Sequence, residues 1–175
     1  MPRLPQPKSP IRLKPQRQRS PESHFHVPTT IRPCSDPASI ARLLPLATEE
    51  GLDYLERLIT DWTEGVNRFE AAGEVLFLLE RDGQTVACGG LLRQREKLGR
   101  IRRIYVDPMF RRHGLGRELI AALIDHSRGS FDELVLYTEN PNAARLYEQH
   151  GFVPEAPAST PDNATHRLTL KPGGP

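Results

Sequence analysis

The chain predicts one α+β domain over about residues 29–171. Two apolar runs, 74–80 and 85–94, flank the turn signal Arg81-Asp82-Gly83-Gln84 and form an antiparallel hairpin. Two strand-then-helix units follow, beginning near residues 100 and 133, the first joined by the breaker Asp107-Pro108 and a glycine-bearing turn, the second by the helix-start signal Asn140-Pro141. A hairpin region leading into alternating strands and helices makes a sheet with helices packed against it.

The elements can be taken in order. Thr30-Ile31-Arg32 makes a short strand ended by Pro33. Asp36 and Pro37 fit an N-cap and a first helical position. Ile40, Leu43, Leu44 and Leu46 then share a helical face, and Pro45 is expected to end or kink that helix. A second helix runs through Leu52, Leu55, Leu58, Ile59 and Trp62 and closes near Gly65. Within the strand 85–94, Gly89-Gly90 marks a bulge or a close backbone approach. Lys97-Leu98-Gly99 turns the chain into a strand over 100–106, a helix runs from Gly114 to about Gly129, and 133–138 is again a strand. Asn140-Pro141 starts a helix that carries Ala143, Ala144, Leu146 and Tyr147 and stops at Gly151. Residues 165–170 make the last strand.

With 175 residues the chain is long enough for a substantial core. Its hydrophobic fraction of 37% is low for a compact domain, and the deficit is concentrated at the start. Residues 1–28 hold six of the 24 basic residues, one of the 22 acidic residues and seven of the 17 prolines, so the remainder carries a net charge of −3. The basic balance therefore describes a tail, and the body gives no case for nucleic-acid binding. Such a tail cannot bury enough apolar surface to offset its ordering entropy and reads as disordered or polyproline-like, as does a short flexible C-terminus at 172–175. It lacks the apolar segment of a secretory signal. No apolar run reaches membrane-spanning length. Two cysteines, Cys34 and Cys88, do not make a disulfide framework. A cytoplasmic protein without a membrane partner, monomeric or homodimeric, is expected. The histidines show no metal-ligand spacing, so no metal is expected.

Arg111-Arg112-His113-Gly114-Leu115-Gly116-Arg117 lies between a strand and a helix. A glycine-bearing turn there offers unpaired N–H groups at the positive end of the helix dipole, a seat for phosphate or pyrophosphate. Arg111, Arg112 and Arg117 add charge, although the same residues also fit a tight loop with a solvated basic face. Leu119 stands where a dinucleotide fingerprint needs a third small residue, and Gly116 is followed by Arg117-Glu118, unlike a triphosphate loop.

The second motif is Asn140-Pro141-Asn142-Ala143-Ala144-Arg145-Leu146-Tyr147-Glu148-Gln149-His150-Gly151-Phe152, which places Asn140, Ala143 and Tyr147 along one side of a short helix. Together, Val106-Asp107-Pro108 with Arg111-x-x-Gly114-x-Gly116 and Asn140-x-x-Ala143-x-x-Leu146-Tyr147-x-x-x-Gly151-Phe152 resemble the GNAT superfamily of acyl-CoA-dependent N-acetyltransferases. The resemblance implies a mixed central sheet flanked by helices, with fourth and fifth strands that splay apart around acetyl-CoA as co-substrate. It implies that the backbone of Ile104, Tyr105 and Val106 pairs with the pantetheine arm and that residues 112–117, including Arg112, His113, Gly114, Leu115, Gly116 and Arg117, cradle the pyrophosphate. It further implies that Asn140 meets the pantetheine region, with Ala143 on the same helix side, and that Tyr147 acts as general acid toward the leaving thiolate.

The chain departs from the pattern of many relatives at the general base, where Arg100, Arg102 and Arg103 occupy the fourth strand in place of a carboxylate. Glu139, Glu70, Glu74 or an ordered water could take that part. Trp62, Asn67, Arg68 and Phe69 are expected beside the acceptor, although Trp62 and Phe69 also fit as packing for the second helix. The arginines of 93–103 fit an anionic acceptor or a charged strand edge. The expected acceptor is a primary amine of a small or amino-acid-like molecule. The alternatives are a protein N-terminus or lysine, and a non-catalytic acyl-CoA-binding module.

Overall fold

The computed structural model describes residues 28–157 and 161–170. Nearly all of the basic tail and the whole of 172–175 lie outside the described residues. Seven strands form one mixed sheet in the order β1-β2-β3-β4-β5-β7-β6. They are β1 (Thr30–Pro33), β2 (Val75–Arg81), β3 (Gln84–Arg95), β4 (Leu98–Val106), β5 (Glu133–Leu136), β6 (Val153–Pro154) and β7 (His166–Thr169). The first four are an antiparallel meander. The chain then crosses over and returns as β5, parallel to β4. Strand β6, only two residues long, carries no periodicity that could announce it.

Helices α1 (Leu43–Glu49) and α2 (Tyr54–Thr63) cover one face, packing Leu43, Leu55 and Leu58 against Leu76, Leu78, Cys88 and Tyr105. Helices α3 (Leu115–Ser127) and α4 (Pro141–Glu148) cover the other, where Leu119, Ile120, Leu123 and Tyr147 meet Leu79, Ala87, Ile101 and Leu134. The expected first helix is divided. A 3-10 turn over Pro37–Ile40, capped by Asp36, precedes α1, and Pro45 stands in the first turn of α1. At that position its missing N–H would have had no helical partner, so Pro45 begins the helix it was expected to end.

The hairpin turn carries Asp82 at φ 52° and Gly83 at φ 72°, the conformation that matches strand twist in a two-residue loop. Gly89 and Gly90 serve opposite faces. A Cβ on Gly89 would lie 2.4 Å from Ile104 Cδ1, and one on Gly90 would lie 2.5 Å from the Phe69 ring. Both readings of that pair hold, because a bulge sits opposite: Cys88 pairs with Tyr105 and Gly90 with Arg102, so Gly89 faces both Arg103 and Ile104. Arg103 takes a left-handed φ of 61° there.

Candidate active site

The bulge sits where the sheet opens. β4 and β5 are paired only at Leu98↔Glu133, Gly99↔Leu134 and Arg100↔Val135. Beyond Arg100 the two strands have no shared register, and β5 ends at Leu136, before the expected 138. Thr138 instead donates its N–H to the side-chain oxygen of Thr165. The backbone of Ile104, Tyr105 and Val106 thus lies along the β4 side of a gap whose other side is the start of the 137–140 segment.

The loop after β4 is built by its own side chains. Asp107, fully buried, accepts the Met109 N–H at 2.9 Å and pairs with Arg42 at 2.7 Å, holding a 3-10 turn over Pro108–Phe110. Arg112 at φ 65° and Gly114 at φ 86° then swing the chain into α3. Glu118 is the first of its amides to reach back, to Gly114 O at 3.0 Å, which leaves the amides ahead of it directed out of the helix end. Amides left free at a helix start are what an anion seat requires.

Individual side chains in the loop have other duties. The Arg111 guanidinium grips both oxygens of Glu50 at 2.6 Å, donates to Val106 O at 3.0 Å and lies over the Tyr105 ring. It thereby ties the end of α1 to the loop. His113 Nδ1 lies 2.9 Å from Arg111 O, and Arg117 donates to Gln149. Leu115 is core. A Cβ on Gly116 would lie 3.1 Å from Leu146, so this glycine admits α4 against α3. Asn140 caps α4 through Asn142 and Ala143, and Ala143 packs on the core.

Tyr147 is 6% exposed, with its ring edge-on to Phe152 at 5.8 Å and tilted toward His166. Burial pushes its phenol well above the ordinary tyrosine range. No described residue hydrogen-bonds its hydroxyl, which is not among the polar atoms sealed from solvent without a partner. Tyr54, which no motif singled out, donates to Ile104 O at 2.9 Å, at the bulge. Burial first, then Cys88, Tyr105, Tyr147 and Glu50, raise its pKa, so the phenols of Tyr54 and Tyr147 share one electrostatic neighbourhood. Cys88 is a core thiol pushed up to about 12 by burial, not a nucleophile.

On the α2 side of β4, an open cleft of about 640 Å³ is lined by Asp61, Asn67, Arg68, Glu70, Leu92 and Arg102, among others. Trp62 and Phe69 stack at 6.1 Å as part of the α2 packing, and Asn67 accepts the Phe69 N–H at 2.9 Å. Phe69 nevertheless borders a smaller recess with Asn67, Arg102 and Arg103. Of the candidate carboxylates, Glu74 is engaged by the backbone amides of Ala71 and Arg93, and Glu139 accepts the Tyr137 hydroxyl at 2.5 Å. Among the described residues, Glu70 has neither engagement. No group of three or more potential metal ligands occurs among them.

The profile of the acetyltransferase (GNAT) family matches residues 39–152, which include both motifs, the bulged strand and the splay. The chain belongs to the GNAT acetyltransferases. A curated GNAT relative, glucosamine 6-phosphate N-acetyltransferase 1 of Oryza sativa subsp. japonica, is 31% identical over 121 residues, 69% of this chain. The chain spans about two thirds of that relative, 66% of its length. A solved protein from Exiguobacterium sp. 255-15, assigned to the acetyltransferases, superposes with a TM-score of 0.69 at 29% identity over 81% of this chain and 93% of its own. N-acetylglutamate synthase from Neisseria gonorrhoeae, solved with coenzyme A and N-acetylglutamate, shares the fold with a TM-score of 0.55 at 22% identity, over 79% of this chain and 34% of its own. No described helix is long and apolar enough to cross a membrane.

Proposed function

We propose that this GNAT protein transfers the acetyl group of acetyl-CoA to a primary amine of a small or amino-acid-like acceptor by direct attack in a ternary complex. The observation that carries this reading is the meeting of three features at one place. The β4–β5 pairing stops at Arg100, the amides ahead of Glu118 are free of helical partners at the start of α3, and α4 carries a largely buried tyrosine whose hydroxyl no described residue binds. An acyl-CoA has parts that suit each: a diphosphate for the amides, an amide-bearing arm for the free β4 edge, and a thioester for the phenol.

In the reaction, the neutral amine forms a C–N bond at the thioester carbonyl and the C–S bond breaks. Tyr147, protonated at neutral pH as tyrosine ordinarily is, gives its proton to the departing sulfur. A backbone N–H near Ile104 stabilises the oxyanion. Tyr54, through its bond to Ile104 O, holds the bulge in position. Glu70, the unengaged carboxylate of the acceptor cleft, takes the amine proton, with Glu139 as the second candidate.

The test is acetyl-CoA-dependent thiol release across amino acids, amino sugars, polyamines, aminoglycosides and peptides. One or more small amines should release thiol in step with acetylated product. Exclusive use of peptide N-termini or lysines would overturn the acceptor class, and acetyl-CoA binding without turnover on any amine would overturn the enzyme.

A further inference from the structure

We propose that the acceptor carries an oxyanion, a carboxylate or a phosphate monoester, and that Arg102 with Arg68 recognises it. The proposal rests on the acetyltransferase reading above for the identity of the cleft as the acceptor site.

Five arginines stand near this cleft or on its strand, and the structure divides them. Arg93 donates to Glu96 O and Ala72 O and lies over the Phe131 ring. Arg100 is bonded to Asp162 O. Arg103 is paired with Asp61 and donates to Tyr54 O. These three hold the fold together. The Arg102 side chain has no hydrogen bond, ion pair or ring contact among the described residues, and it is exposed in the cleft. Arg68 donates only its Nε, to Trp62 O, and has no carboxylate within ion-pair distance among the described residues.

A charged strand edge does not account for Arg102. Side chains leave a strand out of the sheet plane, and the position across from Arg102 on β3 is Gly90, which has none. The space above Gly90 is taken by the Phe69 ring, so Arg102 stands beside an apolar wall with nothing opposite to neutralise it. Its charge crowds Arg100 and Arg103, whose pKa values are lowered first by burial and next by Arg102. An oxyanion placed against Arg102 relieves that crowding and can be met by two guanidinium N–H groups at once. Glu70, on the same cleft, supplies the opposite charge. The cleft is thus matched to a molecule with an amine at one end and an anion at the other, while the second cationic end of a polyamine would meet Arg102 and Arg68.

Two acceptor pairs test this with the full chain: glucosamine 6-phosphate against glucosamine, and L-methionine against L-methioninamide, compared at equal free-amine concentration. In at least one pair the anionic member should have a kcat/KM about tenfold or more above the neutral one, the equivalent of ~1.4 kcal/mol. Arg102→Ala should bring that ratio toward one, Arg102→Lys should restore part of it, and the charge-matched control Arg128→Ala should leave it alone. A ratio near one in wild type, or one that survives Arg102→Ala, overturns the proposal. The first pair responding alone assigns a phosphate, the second alone a carboxylate. If none of these amines turns over, the acetyl-transfer reading fails for them, and the subsite is decided by titrating inorganic phosphate into protein saturated with coenzyme A. Binding that Arg102→Ala weakens about tenfold sustains the oxyanion site. No binding, or equal binding by wild type and variant, overturns it.

Discussion

Tyr147 has a ring packed in the core, 6% exposed, and a hydroxyl that no described residue binds and that is not sealed from solvent. Tyr147→Phe should therefore leave the melting temperature nearly unchanged, since no hydrogen bond is broken. It should lower kcat by about a hundredfold if the phenol is the proton donor. Thermal melts beside steady-state kinetics check both halves, and full activity in the variant would remove the role. Position 147 was legible in the sequence through the Asn140-to-Phe152 spacing. Tyr54 was not, because a tyrosine at the start of an amphipathic helix has many ordinary uses. Only the fold brings its hydroxyl within 2.9 Å of Ile104 O. Arg111 shows the reverse: its place in the loop was read correctly, while its partner Glu50, 61 positions away, is invisible to local spacing.

At the scale of elements, the Glu50–Arg111 pair joins the end of α1 to the loop that begins α3. Arg111, through its hydrogen bond, is the main reason that the Glu50 carboxyl is held below its usual range. A depressed folded pKa means that folding favours the ionised form. This contribution is present above the unfolded value of about 4.3 and is lost as pH falls through the lower folded value. Glu50→Gln should remove up to about 1 kcal/mol at neutral pH, little because the pair is part-exposed, and should flatten the stability profile in that acidic window. Chemical denaturation from pH 3 to 7 measures it. The bulge in β4 makes a different demand. Gly89→Ala would drive a methyl to 2.4 Å from Ile104 and 2.9 Å from Leu119, both packed on the same core. It should destabilise the domain by about 1–3 kcal/mol, and should raise the KM for acetyl-CoA by shifting Ile104. An unchanged melting temperature would show that the β3–β4 register relaxes freely.

For the whole molecule, the two cores lie on opposite faces of one sheet and draw on residues from Ile40 to Leu170. Removing residues 1–28 should therefore leave melting temperature and acetyl transfer close to those of the full chain, read by calorimetry and thiol release. A large loss in either would give the basic segment a part in the domain. The hairpin, the helix-start signals at Asp36 and Asn140 and the strand–loop–helix order around residues 98–127 were set by local chemistry, and the sequence alone determined them. Local chemistry has short reach. The bulge at Arg103, the point where β4 and β5 part and the division of the arginines into ion-paired and free all depend on partners dozens of residues apart. Pro45 and Gly116 show the same limit within single elements: one stands in the first turn of the helix that it was expected to end or kink, and the other, besides its place in the loop, leaves room for Leu146. Sequence spacing pointed to the family, and through it to the kind of donor proposed above. The tertiary structure decided which cations remain free to meet the acceptor, because an arginine's charge is available only when no neighbouring carboxylate or carbonyl already holds it.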